Sequence, residues 1–97
     1  MPIVWLPKAR RNLSEIFAFV ATEAGADRAA RLIERITEAA EHLSAFPHLG
    51  KQSENDPDIR ELQVPGLRYL LPYRVAHGRV EILRVFHEAQ RRPDHWA

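Results

Sequence analysis

Two stretches with helical apolar period, separated by one glycine and followed by three β-prone runs with turn dipeptides between them, leave this chain few ways to fold. From Pro7 to about Ala24, the residues Ala9, Leu13, Ile16, Phe17 and Val20 recur at spacings of three and four, which lines them along one side of a helix. Lys8, Arg10, Arg11, Asn12 and Glu15 fall mostly off that stripe. Pro7 suits the first helical position, where its missing N–H would lack a partner anyway, and Gly25 stops the helix. Asp27 or its neighbour can cap a second helix, whose stripe is Ala29, Ile33, Ile36, Ala40 and Leu43, flanked by Leu32 and Ala39, and which should end before Pro47. The small residues on this stripe allow close approach, and so tight a connection favours an antiparallel helical hairpin. Each helix buries one stripe, so neither makes a core alone.

The second layer must come from the rest of the chain. IVWL (3–6) is a short β-prone run that passes directly into the first helix, and PHLGKQSENDPD (47–58), with its prolines, glycine and polar turn formers, reads as a loop. IRELQV (59–64), LRYLLPYRVA (67–76) and RVEILRVFH (79–87) follow. Pro65-Gly66 suits the middle of a type II turn, and His77-Gly78 a two-residue hairpin loop. The expectation is an α+β fold in one domain, residues 1–97: a short N-terminal strand, an antiparallel helical hairpin, then a three-strand antiparallel meander.

With His77 and Gly78 as the loop, Val75 pairs with Val80, Tyr73 with Ile82, Leu71 with Arg84 and Tyr69 with Phe86, on the face turned to the helices. The opposite face then sets Arg74 beside Glu81, Pro72 beside Leu83, Leu70 beside Val85 and Arg68 beside His87. Pro72 argues against an unbroken register, because proline cannot donate to a ladder and often marks a bulge, and a one-residue slip exchanges the faces. An arginine, Arg84, on the apolar face points the same way.

Ninety-seven residues allow one hydrophobic core. The absence of cysteine excludes a disulfide framework, a thiolate nucleophile and a Cys-based zinc site, and the expected compartment is the reducing cytoplasm. The apolar runs are too short and too interrupted by charge to span a membrane, and the amino end lacks a secretory pattern. The formal net charge of +1 hides an asymmetry: residues 1–58 sum to −2 and residues 59–97 to +3. That excess is well short of what would by itself indicate nucleic-acid binding.

Arg68 and His87 on adjacent strands would form a small site in which arginine holds a phosphate and histidine moves a proton, as RNA cleavage by a 2′-hydroxyl requires. A strand-end histidine is more often a solvated polar residue, and Glu88 beside it would repel a phosphate unless it served as base. His42 and His48 lack metal-ligand spacing, and no metal or cofactor is expected. No phosphate-cradling glycine loop or nucleophile motif is present. Arg10, Arg11, Arg91 and Arg92 make two basic pairs open to a nucleic acid or an acidic partner, or simply to solvent. Trp96, an indole beside the terminus, is costly to leave in water and should either fold back as a lid or dock on a partner.

The order of elements, together with VPGLRYLLPYRV, VEILRVFHEAQRRPDHW and FPHLGKQ, resembles the ParE/RelE superfamily of toxins from type II toxin–antitoxin (plasmid stabilisation) systems over nearly the whole chain. The resemblance implies a growth-arresting toxin held in a hetero-oligomer by a cognate antitoxin, ParD-like or RelB-like, with no direct DNA binding expected. RelE-like members are ribosome-dependent mRNA endonucleases; ParE-like members inhibit DNA gyrase. If the chain is a nuclease, the residues carried over are His87, Arg68 and Arg84, acting on ribosome-bound mRNA. But Glu88 stands where a tyrosine would help, no tyrosine closes the chain, and HEAQRRP looks more like ParE. The favoured expectation is therefore a gyrase inhibitor with no catalytic set, its target contacts drawn from Arg91, Arg92, Trp96, Arg10 and Arg11. A non-toxic relic that keeps only the antitoxin-binding surface is the third reading.

Overall fold

The computed structural model describes residues 1–97. Strand β1 (Ile3–Trp5) runs straight into helix α1 (Pro7–Ala24), and helix α2 (Ala26–Ala45) returns beside it. Strands β2 (Lys51–Gln52), β3 (Arg60–Gln63), β4 (Tyr69–Ala76), β5 (Arg79–Ile82) and β6 (Phe86–His87) complete the chain. The sheet order is β1-β5-β4-β3-β2, with β6 also pairing with β4. All contacts along this order are antiparallel except that of β1, which lies parallel to β5 with Ile3 opposite Val80. The α+β class and its three-strand meander are as the sequence indicates; the sheet is mixed because the N-terminal strand joins it.

Gly25 ends one helix and begins the next. Its N–H donates to the Ala21 carbonyl (3.0 Å) and its own carbonyl accepts from Ala29 (3.2 Å), at φ 96°, which glycine adopts without strain. No side chain caps α2, so the expected capping role of Asp27 is not taken up. Asp27 instead sits in the first turn, where its charge favours the positive helix end. Pro65 and Gly66 form the tight turn their types suggest, closed by Leu67 N–H to the Val64 carbonyl (3.1 Å), with Gly66 at φ 73°. The short β2 was not legible; its two residues lie inside the stretch read as a loop.

The hairpin register agrees with expectation as far as Pro72, then slips. Val75–Val80, Arg74–Glu81 and Tyr73–Ile82 are partners as read from the sequence. Beyond them Leu70 faces Phe86 and Tyr69 faces His87, so one extra residue has entered the β5–β6 strand. The ladder interruption leaves the Val85 N–H free, and the Asn12 side-chain oxygen on α1 accepts it at 3.0 Å. The bulge corrects three expected positions. Val85, in place of Arg84, joins the helix-facing core; Phe86 turns to the other face; and Tyr69, in place of Arg68, stands opposite His87.

Two apolar clusters result. The larger lies between helices and sheet, with Ala9, Ile36, Ala40, Leu43, Leu71, Tyr73, Val80 and Ile82 all inaccessible. The smaller lies on the outer face, where Ile59, Leu70, Leu83 and Phe86 are covered by Trp96. Phe17, expected on the buried stripe of α1, is exposed at its margin.

Candidate functional site

The C-terminal tail is folded back as a lid on the outer face of the sheet. Its anchor is Glu61, a β3 residue whose side chain is completely enclosed. Alternation along β3 explains the placement: Leu62 points into the helix-facing core, so Glu61 and Ile59 point outward. Glu61 Oε2 accepts a hydrogen bond from Trp96 Nε1–H at 2.8 Å and an ion-paired one from the Arg92 guanidinium. Burial pushes the Glu61 carboxyl up, but the hydrogen bonds from Arg92 and Trp96 and the arginine charge outweigh it, and the net shift is downward. The Ser53 hydroxyl adds to this without closing a hydrogen bond to Oε1, which is buried with no partner.

A second anchor holds the end of the tail. Asp56, in the β2–β3 loop, accepts from the Trp96 backbone N–H (3.1 Å) and pairs with His95 Nδ1 (2.9 Å). The His95 hydrogen bond lowers the Asp56 carboxyl and, reciprocally, raises the His95 imidazole. Asn55 donates to the Asp94 carbonyl (2.9 Å). The indole meets Phe86 edge to face at 5.0 Å, and the Arg92 guanidinium lies 5.3 Å from its ring centre.

No hydrogen bond or ion pair joins the side chains of the three residues suggested for nuclease chemistry, although Arg68 and His87 stay close through the paired backbone. His87 packs edge-on against Tyr69 at 4.9 Å, and its Nδ1 accepts the Ala89 N–H at 3.0 Å. A neutral imidazole holding that bond carries its proton on Nε2 and so presents a donor there, with no free nitrogen to act as a base. The Arg68 carbonyl accepts the Glu88 N–H (2.9 Å), which binds the tail to the sheet through backbone alone. Neither Arg68, Arg84 nor His87 lines either of the two large open clefts, of about 760 and 730 Å³. Among the other suggested contacts, Arg10 and Arg11 project from α1 and Arg91 from the tail, all exposed, while Arg92 and Trp96 are engaged by Glu61.

Other features go beyond the sequence reading, which set Arg74 beside Glu81 but named none of the remaining partners. In the β4–β5 hairpin, Arg74 and Arg79 both reach Glu81 at 2.8 Å, and these hydrogen bonds lower its carboxyl to about 2. Tyr73 staples the loop after α2: its hydroxyl donates to the Pro47 carbonyl (2.8 Å) and accepts from the Gly50 N–H (2.9 Å), while Arg60 donates to the Gly50 carbonyl. The stapled loop and its approach hold Phe46 and Leu49 out in solvent, 63% and 56% exposed. Phe19 on α1 is similarly exposed. The signals were present in the letters, a carboxylate in a strand and a tyrosine at a core position; Glu81 finds its arginines close by in the hairpin, whereas the partners of Tyr73 lie more than twenty residues away.

No cluster of three histidine, aspartate or glutamate side chains that could hold a metal ion is present, and no helix is long and apolar enough to cross a membrane. A helical hairpin on one face of a mixed sheet, with the chain leaving the last strand as a tail folded over the other face, is the architecture of a small ParE-type toxin. Within it the chain belongs to the ParE toxin family: residues 3–92 match the family described as the ParE toxin of the type II toxin-antitoxin system, parDE. It is 36% identical over 91 residues to a Sinorhizobium fredii protein named "Putative toxin Y4kP", an alignment covering 94% of this chain and 92% of that one. A solved structure described as a chromosomal ParDE toxin–antitoxin system from P. aeruginosa superposes with a TM-score of 0.80 at 26% identity, covering 90% of this chain and 95% of the other. The protein is a ParE-type toxin of a type II toxin–antitoxin system, and an antitoxin is its implied partner.

Proposed function

We propose that this toxin arrests growth by binding and inhibiting DNA gyrase, and that a cognate ParD-like antitoxin neutralises it. The observation that carries this reading over mRNA cleavage is the state of His87. Its Nδ1 is spent on the Ala89 N–H, its neighbour across the sheet is Tyr69, and the register slip at Pro72 removes Arg68 from the cross-strand position. A proton-transfer site needs an accepting nitrogen within reach of the substrate and a cation to hold the phosphate, and the engaged Nδ1 and the displaced Arg68 weigh against that pair. A protein that acts by occupying another protein needs projecting anchors instead. Phe19, Phe46 and Leu49 supply apolar ones for an antitoxin segment to bury, and Arg10, Arg11 and Arg91 supply exposed charge for the target.

The test is induction of the chain alone in a bacterium, with bulk mRNA and DNA followed in one culture, beside a supercoiling assay with purified gyrase. The expected result is filamentation and DNA damage with intact mRNA, inhibition of gyrase in vitro, and a change of less than about threefold in potency on His87→Ala, since only the half-buried edge contact with Tyr69 and the local bond to Ala89 are lost. Rapid mRNA cleavage that His87→Ala abolishes would instead establish the nuclease reading. Uninterrupted growth with soluble, folded protein would identify a relic.

A further inference from the structure

The segment from Pro93 to Ala97 lies outside the span matched by the family, which ends at Arg92. Yet it closes the outer face of this molecule, and the way it does so is uneven. Two side-chain donors of the tail, the Arg92 guanidinium and the Trp96 indole N–H, converge on a single oxygen of Glu61, and the other oxygen is buried without a hydrogen bond. A buried acceptor left unmade retains its full desolvation cost, which hydration would recover if the tail lifted. The closed tail is thus held by strong individual contacts and opposed by a specific debt. Arginine and tryptophan are also the side chains that most often anchor protein interfaces.

We propose that the tail is a target-binding arm stored on its own chain. Closed, it places Arg92 and Trp96 on Glu61 and on the apolar shelf of Leu70 and Phe86. Open, the same two side chains engage a carboxylate beside an apolar shelf on the protein that the toxin inhibits. Glu61 is then a decoy for that target site: it stabilises the resting toxin and weakens apparent binding by the fraction of molecules whose tail is open. This inference rests on the reading that the target is a protein.

The proposal separates substitutions that are equivalent in a purely structural account. Arg92→Gln and Trp96→Ala remove the arm's own contacts; Glu61→Gln breaks the same ion pair from the sheet side and leaves the arm intact. Each full-length variant would be assayed for gyrase inhibition and for growth arrest on induction, with thermal unfolding and circular dichroism confirming the fold. Expected are losses of roughly tenfold or more for Arg92→Gln and Trp96→Ala, as for removal of interface anchors. Glu61→Gln should be several-fold more potent than the wild type, and potency merely equal to it would remove the decoy role. Potency that falls with Glu61→Gln and Trp96→Ala alike, in step with lost thermal stability, would reduce the tail to a structural lid and overturn the proposal. Full potency of both tail variants would also overturn it. Should Trp96→Ala not fold, Arg92→Gln against Glu61→Gln decides the same question. A wild-type chain that leaves gyrase untouched would refute the gyrase reading alone, and growth arrest by the three variants would still decide whether the arm acts.

Discussion

The two faces of the sheet are built on different principles. The inner face meets the helices through apolar side chains, with Ile36, Leu43, Leu71, Val80 and Ile82 wholly out of solvent and only the Tyr73 hydroxyl polar among them. The outer face is closed by five apolar residues whose cover is a chain terminus pinned through carboxylates. Apolar packing is non-directional and tolerant, so the inner face supplies stability. Pinning by buried charge depends on geometry and on its pairing, and contributes little net stability while fixing one arrangement. The inner face decides whether the chain folds; the outer face decides where its tail is.

Truncation of one residue on each face makes the comparison quantitative. Leu43→Ala removes a fully enclosed side chain between α2 and the sheet and should cost about 3 kcal/mol, within the range for buried leucines. Leu83→Ala, on the outer face, loses contacts that a movable tail can partly restore, and should cost about 1–2 kcal/mol. Urea unfolding of both variants checks the ordering; equal losses would mean that the outer face is as rigidly packed as the inner.

An effect smaller than that of Leu43→Ala should follow from Gly50→Ala, at the point where the two faces share a staple. A Cβ there would stand 2.7 Å from Tyr73 Cε1 and 2.8 Å from the Glu61 carbonyl, and backbone cannot yield as a side-chain tip can. We expect about 2 kcal/mol of destabilisation, typical of overpacking, by the same urea measurement. Because Gly50 also donates to Tyr73 and accepts from Arg60, the loop carrying Leu49 should loosen with it, seen as faster amide exchange at residues 47–50.

The contrast between the faces also explains what the sequence revealed. The inner face follows from periodicity alone: the stripe Ala29–Ile36–Ala40–Leu43 and the alternating Leu71 and Tyr73 of β4 with Val80 and Ile82 of β5 are local patterns, and both are found where period predicts them. The register slip was announced by Pro72 and by Arg84 on an apolar face, but its location was not, since the bulge is stabilised by Asn12, more than seventy residues earlier. The outer face was scarcely legible. Trp96 signals that an indole must go somewhere, but nothing near it in sequence names Glu61 or Asp56, and pairing through buried carboxylates has no period. His87 was conspicuous as a letter, whereas its ring is used locally, by Ala89 and Tyr69.

The smallest expected effect is pH dependence confined to the outer face. Asp56 and Glu61 have folded values below their ordinary ones, so their share of tail anchoring is present above about pH 4.5 and is lost as pH falls further through the folded values. His95 has a folded value above 6.5; its contribution is complete below that and is lost as pH rises through the raised value. Anchoring should therefore be greatest between roughly pH 4.5 and 6.5 and weaken on both sides. Glu81, held near 2 by its two arginines, adds a further loss only in strong acid and concerns the hairpin rather than the tail. In a Trp5→Phe background, where Trp96 is the sole indole, its emission should shift to the red as pH rises through the raised His95 value while helical circular dichroism stays constant. His95→Gln should remove the alkaline limb and leave the acid one, because the imidazolium is the only group near Asp56 whose charge changes there. An emission flat from about pH 5 to 9 would show that the His95–Asp56 pair does not anchor the tail, and the difference between the two faces would then rest on Glu61 alone.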